Sequence, residues 1–271
     1  MKILIIGGGN MGQSFAKSFV NNYITDAAHF AVLEKDTGKY DALKKIGINN
    51  IYANPNQNIA LADLVVLAVK PQSFDQLANE ISDYIDNEQV VLSIMAGVSI
   101  STIQQKLKVE KVIRAMPNIA AQIGKGMSVF SSSDAITRIE LVTVQNLLES
   151  TGKNLYVGSE DLIDAGTAVS GSGPAYVLYF MQALSEAAIE LGFSKREAEM
   201  LTVQTFKGIV EYYQNTPLSY EELIEKISSK GGTTEAAIKF LKMHQVDKLI
   251  TQAALKAYER AKELGNLPKK L

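Results

Sequence analysis

The sequence predicts an α/β protein: an N-terminal Rossmann-type sheet, doubly wound and mostly parallel, followed by an all-α domain. Two observations carry this prediction. Over residues 1–159, short β-branched runs alternate with amphipathic segments, and from residue 160 onward the spacing of apolar residues is helical throughout. We therefore divide the 271-residue chain into a sheet domain at 1–159 and a helical domain at 160–271.

Each predicted strand is a short apolar run bounded by polar residues or glycine. The predicted strands are Lys2–Ile6, Phe30–Leu33, Leu64–Ala68, Gln89–Ile94, Lys111–Arg114, Met127–Phe130 and Asn154–Val157. Between them, apolar residues three and four positions apart, such as Met11, Phe15 and Phe19, predict helices that cover the sheet.

The second half of the chain contains segments with helical spacing only. These are Asp161–Leu191, Lys195–Tyr213, Tyr220–Ile227, Thr233–Met243 and Val246–Leu264. Gly171, Gly173 and Pro174 lie within the first of them and predict a kink in that helix.

Composition limits the class of partner. The 27 Lys and Arg residues nearly balance the 29 Asp and Glu residues and are scattered, so we expect neither a nucleic acid nor a membrane as partner. The chain has no cysteine, which excludes disulfides and thiolate metal sites and fits a reducing, cytoplasmic location. His29 and His244 have no acidic cluster at metal-ligand spacing, so no metal site is expected.

Gly7, Gly9 and Gly12 form the pattern G-x-G-x-x-G between the first predicted strand and the helix after it. Gly7 permits the tight turn, Gly9 lets the backbone approach a pyrophosphate, and Gly12 allows the helix to pack on the strand. Asn10 and Met11 lie between these glycines, at a helix N-terminus that favours an anion. The pattern predicts a dinucleotide-binding site, although any strand-to-helix turn can use glycine.

Glu34 lies 22 positions past Gly12, at the end of the second predicted strand. An acidic residue there accepts hydrogen bonds from the adenosine ribose of NAD. The same carboxylate repels the 2′-phosphate of NADPH, whereas Lys35 and Lys39 are placed to bind that phosphate. Glu34 thus favours NADH, whereas Lys35 and Lys39 favour NADPH. We favour NADH slightly and leave NADPH open.

Three further segments follow predicted strands. They are Ala68, Val69, Lys70 and Pro71 after one strand, Ser93–Val98 with Ala96 after the next, and Arg114–Asn118 after a third. The carboxyl ends of strands in such a sheet form the edge along which a dinucleotide lies. We therefore expect the nicotinamide half to pass these loops.

The segment Ser229–Thr234 begins a predicted helix. Its glycine pair, Gly231 and Gly232, followed by two threonines, places backbone N–H groups and hydroxyls around one point where a small carboxylate can bind. On its own, an ordinary helix start explains the segment better, because Thr233 followed by Glu235 in the first turn is a good N-terminus.

Taken together, these motifs resemble pyrroline-5-carboxylate reductase over essentially the whole chain. The matching segments are the glycine pattern, Ala-Val-Lys-Pro at 68–71, Ser-Ile-Met-Ala-Gly-Val at 93–98, Arg-Ala-Met-Pro-Asn at 114–118, Ser-Gly-Ser-Gly-Pro-Ala-Tyr at 170–176 and Gly-Gly-Thr-Thr at 231–234. The resemblance implies NAD(P)H-dependent reduction of a cyclic imine, 1-pyrroline-5-carboxylate, to L-proline, the last step of proline biosynthesis. It also implies that 1–159 binds the dinucleotide, and that 160–271 binds substrate and joins subunits into a homodimer or a larger homo-oligomer.

The resemblance also implies roles for single residues. Gly9, Asn10 and Met11 hold the pyrophosphate, Val69, Lys70 and Ala96 flank the nicotinamide, and Glu160 lies near the substrate. Ser229, Gly232, Thr233 and Thr234 hold the substrate, with amides and the Ser229 hydroxyl on its carboxylate and the catalytic Thr234 hydroxyl on its ring nitrogen.

The chain departs from the usual pattern of that family at Lys230, where proline is common, and at Ile119 and Ala120, where Thr-Pro is common. Lys230 should loosen the substrate loop, since proline fixes φ. Two alternatives therefore stay open. One is another Rossmann reductase, such as a β-hydroxyacid or F420-linked enzyme, against which the Gly-Gly-Thr-Thr loop argues. The other is a catalytically idle dinucleotide-binding paralogue with a regulatory role.

Overall fold

The computed structural model describes residues 1–21 and 29–266 of the chain. Within them, eight strands form one sheet: β1 Ile3–Ile6, β2 Phe30–Leu33, β3 Ile51–Tyr52, β4 Leu64–Leu67, β5 Val90–Ser93, β6 Val112–Met116, β7 Gly126–Ser132 and β8 Gly152–Tyr156. Their order is β3-β2-β1-β4-β5-β6-β7-β8. Neighbouring strands are parallel except for β6 and β7, which are antiparallel. The strand order reverses between β1 and β4.

Five helices cover the two faces of the sheet. They are α1 Asn10–Asn21, α2 Tyr40–Lys45, α3 Phe74–Ile81, α4 Ile100–Leu107 and α5 Arg138–Glu149. Helices α1, α2 and α5 share one apolar core with Ile3 and Ile5, and α3 and α4 share the other with Leu4 and Ile6. Alternate residues of a strand point to opposite faces. Because β1 is buried on both, its sequence is a continuous apolar run.

The remaining elements are helical. They are α6 Asp161–Gly166, a π-helical turn at Thr167–Gly171, α7 Gly173–Glu190, α8 Lys195–Gln214, α9 Tyr220–Ile227, α10 Thr233–Met243 and α11 Val246–Asn266. By their contacts, the residues form two compact units, Met1–Ser172 with Ala257–Leu271, and Gly173–Lys256. Helix α6 and the π-helical turn thus belong with the sheet. The division at 159/160, which marks where the strands end, stays a prediction.

The predicted fold class is confirmed, and the observed elements differ from the expected ones in two places. The sequence analysis missed β3, since two residues, Ile51–Tyr52, are too few to display alternation. It also predicted one helix over Asp161–Leu191, where the structure has α6, the π-helical turn and α7. The π-helical turn ends at Gly171, so the helical segment is interrupted near the glycines, while a kink there stays a prediction.

Three helices of the described chain begin with a reciprocal capping box. The pairs are Thr137 with Glu140 at α5, Ser194 with Glu197 at α8, and Ser219 with Glu222 at α9. In each pair the hydroxyl accepts a hydrogen bond from the glutamate N–H, and the carboxylate accepts one from the N–H of the capping residue. Each box satisfies two N–H groups that a helix start leaves without partners.

Replacing Thr137 by Ala should lower the free energy of unfolding by about 1 kcal/mol, because the N–H of Glu140 loses its partner. Thr143→Ala on the same helix is the matched control. Its hydroxyl only bonds the Ile139 carbonyl one turn back, and alanine is the better helix former. Thermal unfolding of both variants checks this; an equal loss in both would contradict a specific role for the cap.

Candidate active site

The carboxyl ends of β1, β2, β4 and β5 meet at one edge of the sheet, because these strands are parallel neighbours. In an open parallel sheet, ligands bind at this edge where the strand order reverses, which here is between β1 and β4. The predicted cofactor residues follow these strands: Gly7, Gly9, Asn10, Met11 and Gly12 after β1, Glu34 and Lys35 after β2, Ala68, Val69, Lys70 and Pro71 after β4, and Ala96 after β5. The fold brings them to one edge, and their binding roles stay predictions.

The turn after β1 has no room for side chains at Gly7 and Gly12. Gly7 lies at φ +107°, and a Cβ there would lie 2.7 Å from the carbonyl oxygen of Ala68. A Cβ on Gly12 would overlap the carbonyl oxygen of Gly7. A Cβ on Gly9, by contrast, would meet nothing within 4 Å. The first and third glycines therefore serve the packing of the turn, while the open space at Gly9 fits the approach of a pyrophosphate.

Gln13 holds this turn in place, although the sequence analysis did not single it out. Its backbone N–H donates to the carbonyl oxygen of Gly9 at 2.8 Å, and its side-chain Nε2 donates to that of Gly8 at 2.8 Å. Helix α1 begins at Asn10, so the amides of its first turn, including that of Met11, have no partner within the helix. Such amides are the donors that an anion meets at a helix start.

Glu34 lies directly after β2 and is only 8% exposed. Its Oε2 accepts hydrogen bonds from the Gly8 N–H at 2.7 Å and from Lys39 Nζ at 3.0 Å, and its Oε1 accepts one from the Asp36 N–H at 2.8 Å. A carboxylate oxygen can accept two hydrogen bonds. Oε1 therefore retains the capacity to accept a ribose hydroxyl, beside the glycine turn.

Both lysines near Glu34 are paired with carboxylates. Lys39 Nζ lies 3.0 Å from a carboxylate oxygen of Glu34 and 3.7 Å from one of Asp36. Lys35 Nζ reaches α3, where it lies 2.9 and 2.6 Å from the two carboxylate oxygens of Glu80. Either lysine would have to leave these partners to bind a phosphate.

The loop after β5 contacts the end of α11. Gly97 lies at φ +70°, and a Cβ there would lie 3.0 Å from the backbone nitrogen of Gly265. Its neighbour Ala96 is half-buried, as are Ala68 and Val69 after β4. The backbone of Gly97 thus packs directly against that of Gly265, and this contact fixes the loop that is expected to flank the nicotinamide. A side chain at 97 would disturb both the loop and the helix end.

Arg114, on β6, is buried and pairs with two carboxylates at the start of α6. Its guanidinium nitrogens lie 2.8 Å from Glu160 and 2.7 Å from Asp164. Glu160 Oε1 also accepts the N–H of Ile100, the first residue of α4. The sequence analysis places Glu160 near the substrate; in the structure its carboxylate lies in this internal network. A role of Glu160 at the substrate stays a prediction.

Asn118 joins the segment after β6 to the π-helical turn. Its Nδ2 donates to the carbonyl oxygen of Ser170 at 3.0 Å, and its Oδ1 accepts from the N–H groups of Ala120 at 3.2 Å and Met127 at 3.3 Å. A π-helical turn within a helix is rare and is often found at functional sites. The segments 114–118 and 170–176 thus come into contact within the first unit at Ser170.

The predicted substrate loop lies in the second unit, at the start of α10. Gly231 lies at φ +73°, and its N–H donates to Glu235 Oε2 at 2.7 Å. The Gly232 N–H donates to the carbonyl oxygen of Ser229 at 2.9 Å. With these two amides used inside the loop, the amides of Thr233 and Thr234, in the first turn of α10, are the donors suited to a carboxylate.

Glu235 fixes this loop from within the helix, a role that the sequence analysis did not assign to it. The hydrogen bond from Gly231 and the ion pair with Lys239 at 3.1 Å lower the pKa of its carboxyl. Lys230, where the resemblance leads us to expect a loosened loop, is exposed. The Glu235 bond supplies a restraint on Gly231 that does not depend on a proline at 230.

Within residues 1–21 and 29–266, no group of three His, Cys, Asp or Glu side chains is arranged to hold a metal ion. No helix of the described chain is long and apolar enough to cross a membrane.

The reversal of strand order at β1/β4, the glycine turn and the carboxylate after β2 define a dinucleotide-binding fold of the kind found in oxidoreductases. Residues 2–97 match the family model of NADP oxidoreductases that are coenzyme F420-dependent. Residues 160–264 match the model of the pyrroline-5-carboxylate reductase dimerisation domain.

Relatives that match over nearly their whole length are named pyrroline-5-carboxylate reductase. The pyrroline-5-carboxylate reductase of Aquifex aeolicus is 34% identical over 97% of this chain and 97% of its own, and that of Pseudomonas aeruginosa is 33% identical over the same shares. The solved structure of the Coxiella burnetii reductase, 34% identical, gives a TM-score of 0.90 over 97% of this chain and 98% of that one. A Plasmodium falciparum pyrroline carboxylate reductase with NADP bound, 26% identical, gives 0.86 over 98% of each chain. The chain belongs to the pyrroline-5-carboxylate reductase family.

Replacing Gly97 by Ala should weaken NAD(P)H binding, because the new Cβ is strained at φ +70° and lies 3.0 Å from the Gly265 nitrogen. Gly124→Ala is the matched control. Gly124 has nearly the same φ, +69°, but a Cβ there would meet only the Ser150 carbonyl oxygen at 4.0 Å. Both variants should lose about 1 kcal/mol of stability, and only Gly97→Ala should raise the dissociation constant.

Binding is measured by quenching of the reduced nicotinamide fluorescence, and stability by thermal unfolding. Equal dissociation constants for the two variants would show that the loop after β5 does not position the cofactor.

Proposed function

We propose that this protein reduces 1-pyrroline-5-carboxylate to L-proline with NAD(P)H, as the last step of proline biosynthesis. It is then an oxidoreductase acting on a CH–NH bond. The observation that carries the proposal is the combination of the dinucleotide edge with the amide-rich start of α10 in a member of this family. Cytoplasmic location remains a prediction from composition.

The reaction adds a hydride to the imine carbon and leaves the ring nitrogen protonated, so one imine, one NAD(P)H and one proton give one proline and one NAD(P)⁺. When bound, the reduced nicotinamide supplies the hydride. The residues proposed to hold it are those after β4 and β5, in particular Val69, Lys70 and Ala96. Gly9 and the first amides of α1 are proposed to hold its pyrophosphate.

The substrate carboxylate is proposed to bind the amides of Thr233 and Thr234 and the hydroxyl of Ser229. Ser229 suits this role because its Oγ lies against Gly232, where a Cβ would be 2.7 Å away, so glycine keeps the hydroxyl close to the helix start. Amides at a helix N-terminus favour an anion without any arginine. The positive end of the helix thus selects a small carboxylate.

Thr234 is proposed to be the catalytic residue that touches the reacting group, through a hydrogen bond between its hydroxyl and the ring nitrogen. An imine that enters protonated needs no strong general acid. The rate then depends on holding donor and acceptor atoms about 3 to 3.5 Å apart. Glu235 supports this indirectly, since its bond to Gly231 fixes the loop ahead of Thr234.

We propose further that NADH is preferred to NADPH. The Glu34 carboxylate is buried, fixed by Gly8 and free to accept one more hydrogen bond at Oε1, which suits a ribose hydroxyl. A 2′-phosphate would instead place negative charge beside it. Lys35 and Lys39, the cations that favour NADPH, are engaged with Glu80 and Glu34.

The match of residues 160–264 to a dimerisation domain supports a homo-oligomer. A dimer or an assembly built on dimers is the proposed form. Large apolar side chains of the second unit are exposed in the single chain, among them Leu178, Tyr179 and Met200 at 63%, 72% and 65%. Exposed apolar surface on this scale supports a contact between copies of the chain.

The purified protein should oxidise NAD(P)H in the presence of pyrroline-5-carboxylate, and Thr234→Ala should lower kcat about tenfold or more, since a bond at the reacting centre is lost. The KM for the nucleotide should change little. Thr251→Ala, which changes an exposed threonine on α11, is the control. Cofactor binding without any turnover in the wild type would establish the idle paralogue instead.

The ratio of kcat/KM for NADH to that for NADPH should exceed one, because the 2′-phosphate meets the fixed Glu34 carboxylate. Steady-state assays with both nucleotides at saturating imine measure it. Glu34→Gln, which keeps the size of the side chain and removes its charge, should reduce the ratio. A wild-type preference for NADPH would overturn the NADH proposal and leave the reductase proposal standing.

A further inference from the structure

The cluster around the end of β2 contains more negative than positive charge. Glu34, Asp36 and Glu80 supply three carboxylates, and Lys35 and Lys39 supply two ammonium groups. Lys39 lies between Glu34 and Asp36, on the side of the glycine turn. Lys35 is the remaining cation, and it follows directly after the residue that faces the ribose.

Glu80 holds Lys35 by both of its oxygens. The two distances from Lys35 Nζ are 2.9 and 2.6 Å. Gln76, one turn earlier on α3, donates from Nε2 to Oε1 of Glu80 at 2.9 Å, so the carboxylate is itself oriented. The hydrogen bond from Lys35 lowers the pKa of the Glu80 carboxyl below its usual range. Glu80 is therefore charged at neutral pH and directs the ammonium group of Lys35 toward α3.

We propose that Glu80 is a specificity-determining residue, which disfavours NADPH by holding Lys35 away from the position of a 2′-phosphate. The inference rests on the proposed NAD(P)H-dependent activity and adds to the role of Glu34. Glu34 repels the phosphate directly, whereas Glu80 acts through Lys35. Lys35 is then suited to bind the 2′-phosphate, and Glu80 keeps its ammonium group in an ion pair.

The energetics allow this arrangement to be changed without loss of the fold. The Lys35 side chain is 53% exposed and that of Glu80 is 29% exposed. Exposed ion pairs contribute little to stability, because water and salt screen them. A 2′-phosphate carries up to two negative charges at pH 7, and an ammonium group without a competing carboxylate binds it more strongly.

Glu80→Gln tests the proposal, since it removes the charge and keeps the shape. In the full-length protein, the affinity for adenosine 2′,5′-bisphosphate should rise about two- to fivefold, the range expected for one freed surface charge, and the affinity for 5′-AMP should stay unchanged. Isothermal titration measures both without turnover. The kcat/KM for NADPH should rise by a similar factor, with that for NADH unchanged.

Two further variants assign the effect to Lys35. In the double variant, Lys35→Gln combined with Glu80→Gln should abolish the gain in bisphosphate affinity. Asp75→Asn is the matched control on α3, because Asp75 pairs with Lys106 at 3.1 Å. It should leave both affinities unchanged.

An unchanged bisphosphate affinity in Glu80→Gln would overturn the proposal, as would a gain that survives in the double variant or appears in Asp75→Asn. Absence of imine reduction by the wild type would refute the proposed activity alone. The titrations with nucleotide fragments would still decide whether Glu80 controls Lys35.

Discussion

The turn between β1 and α1 is the constraint on which the rest of the cofactor edge depends. Gly7 lies against the backbone of Ala68 at the end of β4, and Gly12 lies against Gly7, so backbone touches backbone across two strands and a helix. Contacts between backbone atoms cannot be relieved by a change of side-chain conformation, and the interior around them is already close-packed. The distances between β1, β4 and α1 are thereby set, and Glu34 is held in turn by its bond to the Gly8 amide.

In the proposed function, anion recognition relies on backbone amides more than on cations. The donors proposed at the cofactor edge are the first amides of α1, and those proposed at the start of α10 are the amides of Thr233 and Thr234. The lysines nearby, Lys35 and Lys39, are neutralised by carboxylates. This arrangement agrees with a composition in which 27 basic residues face 29 acidic ones and no large basic surface attracts ligands from a distance. Affinity for the ligand is therefore built locally, by geometry.

The sequence predicts those features that depend on neighbours along the chain. Strands buried on both faces appear as apolar runs, and helix α9 is predicted at its observed bounds, Tyr220–Ile227, because its apolar residues recur at helical spacing. The two-residue β3 leaves no such pattern. Site residues that directly follow a strand can be predicted from their position in the sequence. The ion-pair partner of Lys35 cannot be predicted in this way. Glu80 lies 45 positions away, and nothing in the sequence distinguishes it from other exposed carboxylates.

The three capping boxes give the protein a shared sensitivity to acid. The hydrogen bonds of the capping serines lower the pKa of Glu197 and Glu222, and at Glu140 burial opposes the same effect without reversing it. A carboxyl whose pKa is lower in the folded chain stabilises it fully above the ordinary carboxyl pKa, and loses that contribution as the pH falls through the lowered value. Helices of both compact units therefore lose the support of their capping carboxylates when these are protonated. Acid below the ordinary carboxyl pKa should therefore fray the starts of α5, α8 and α9.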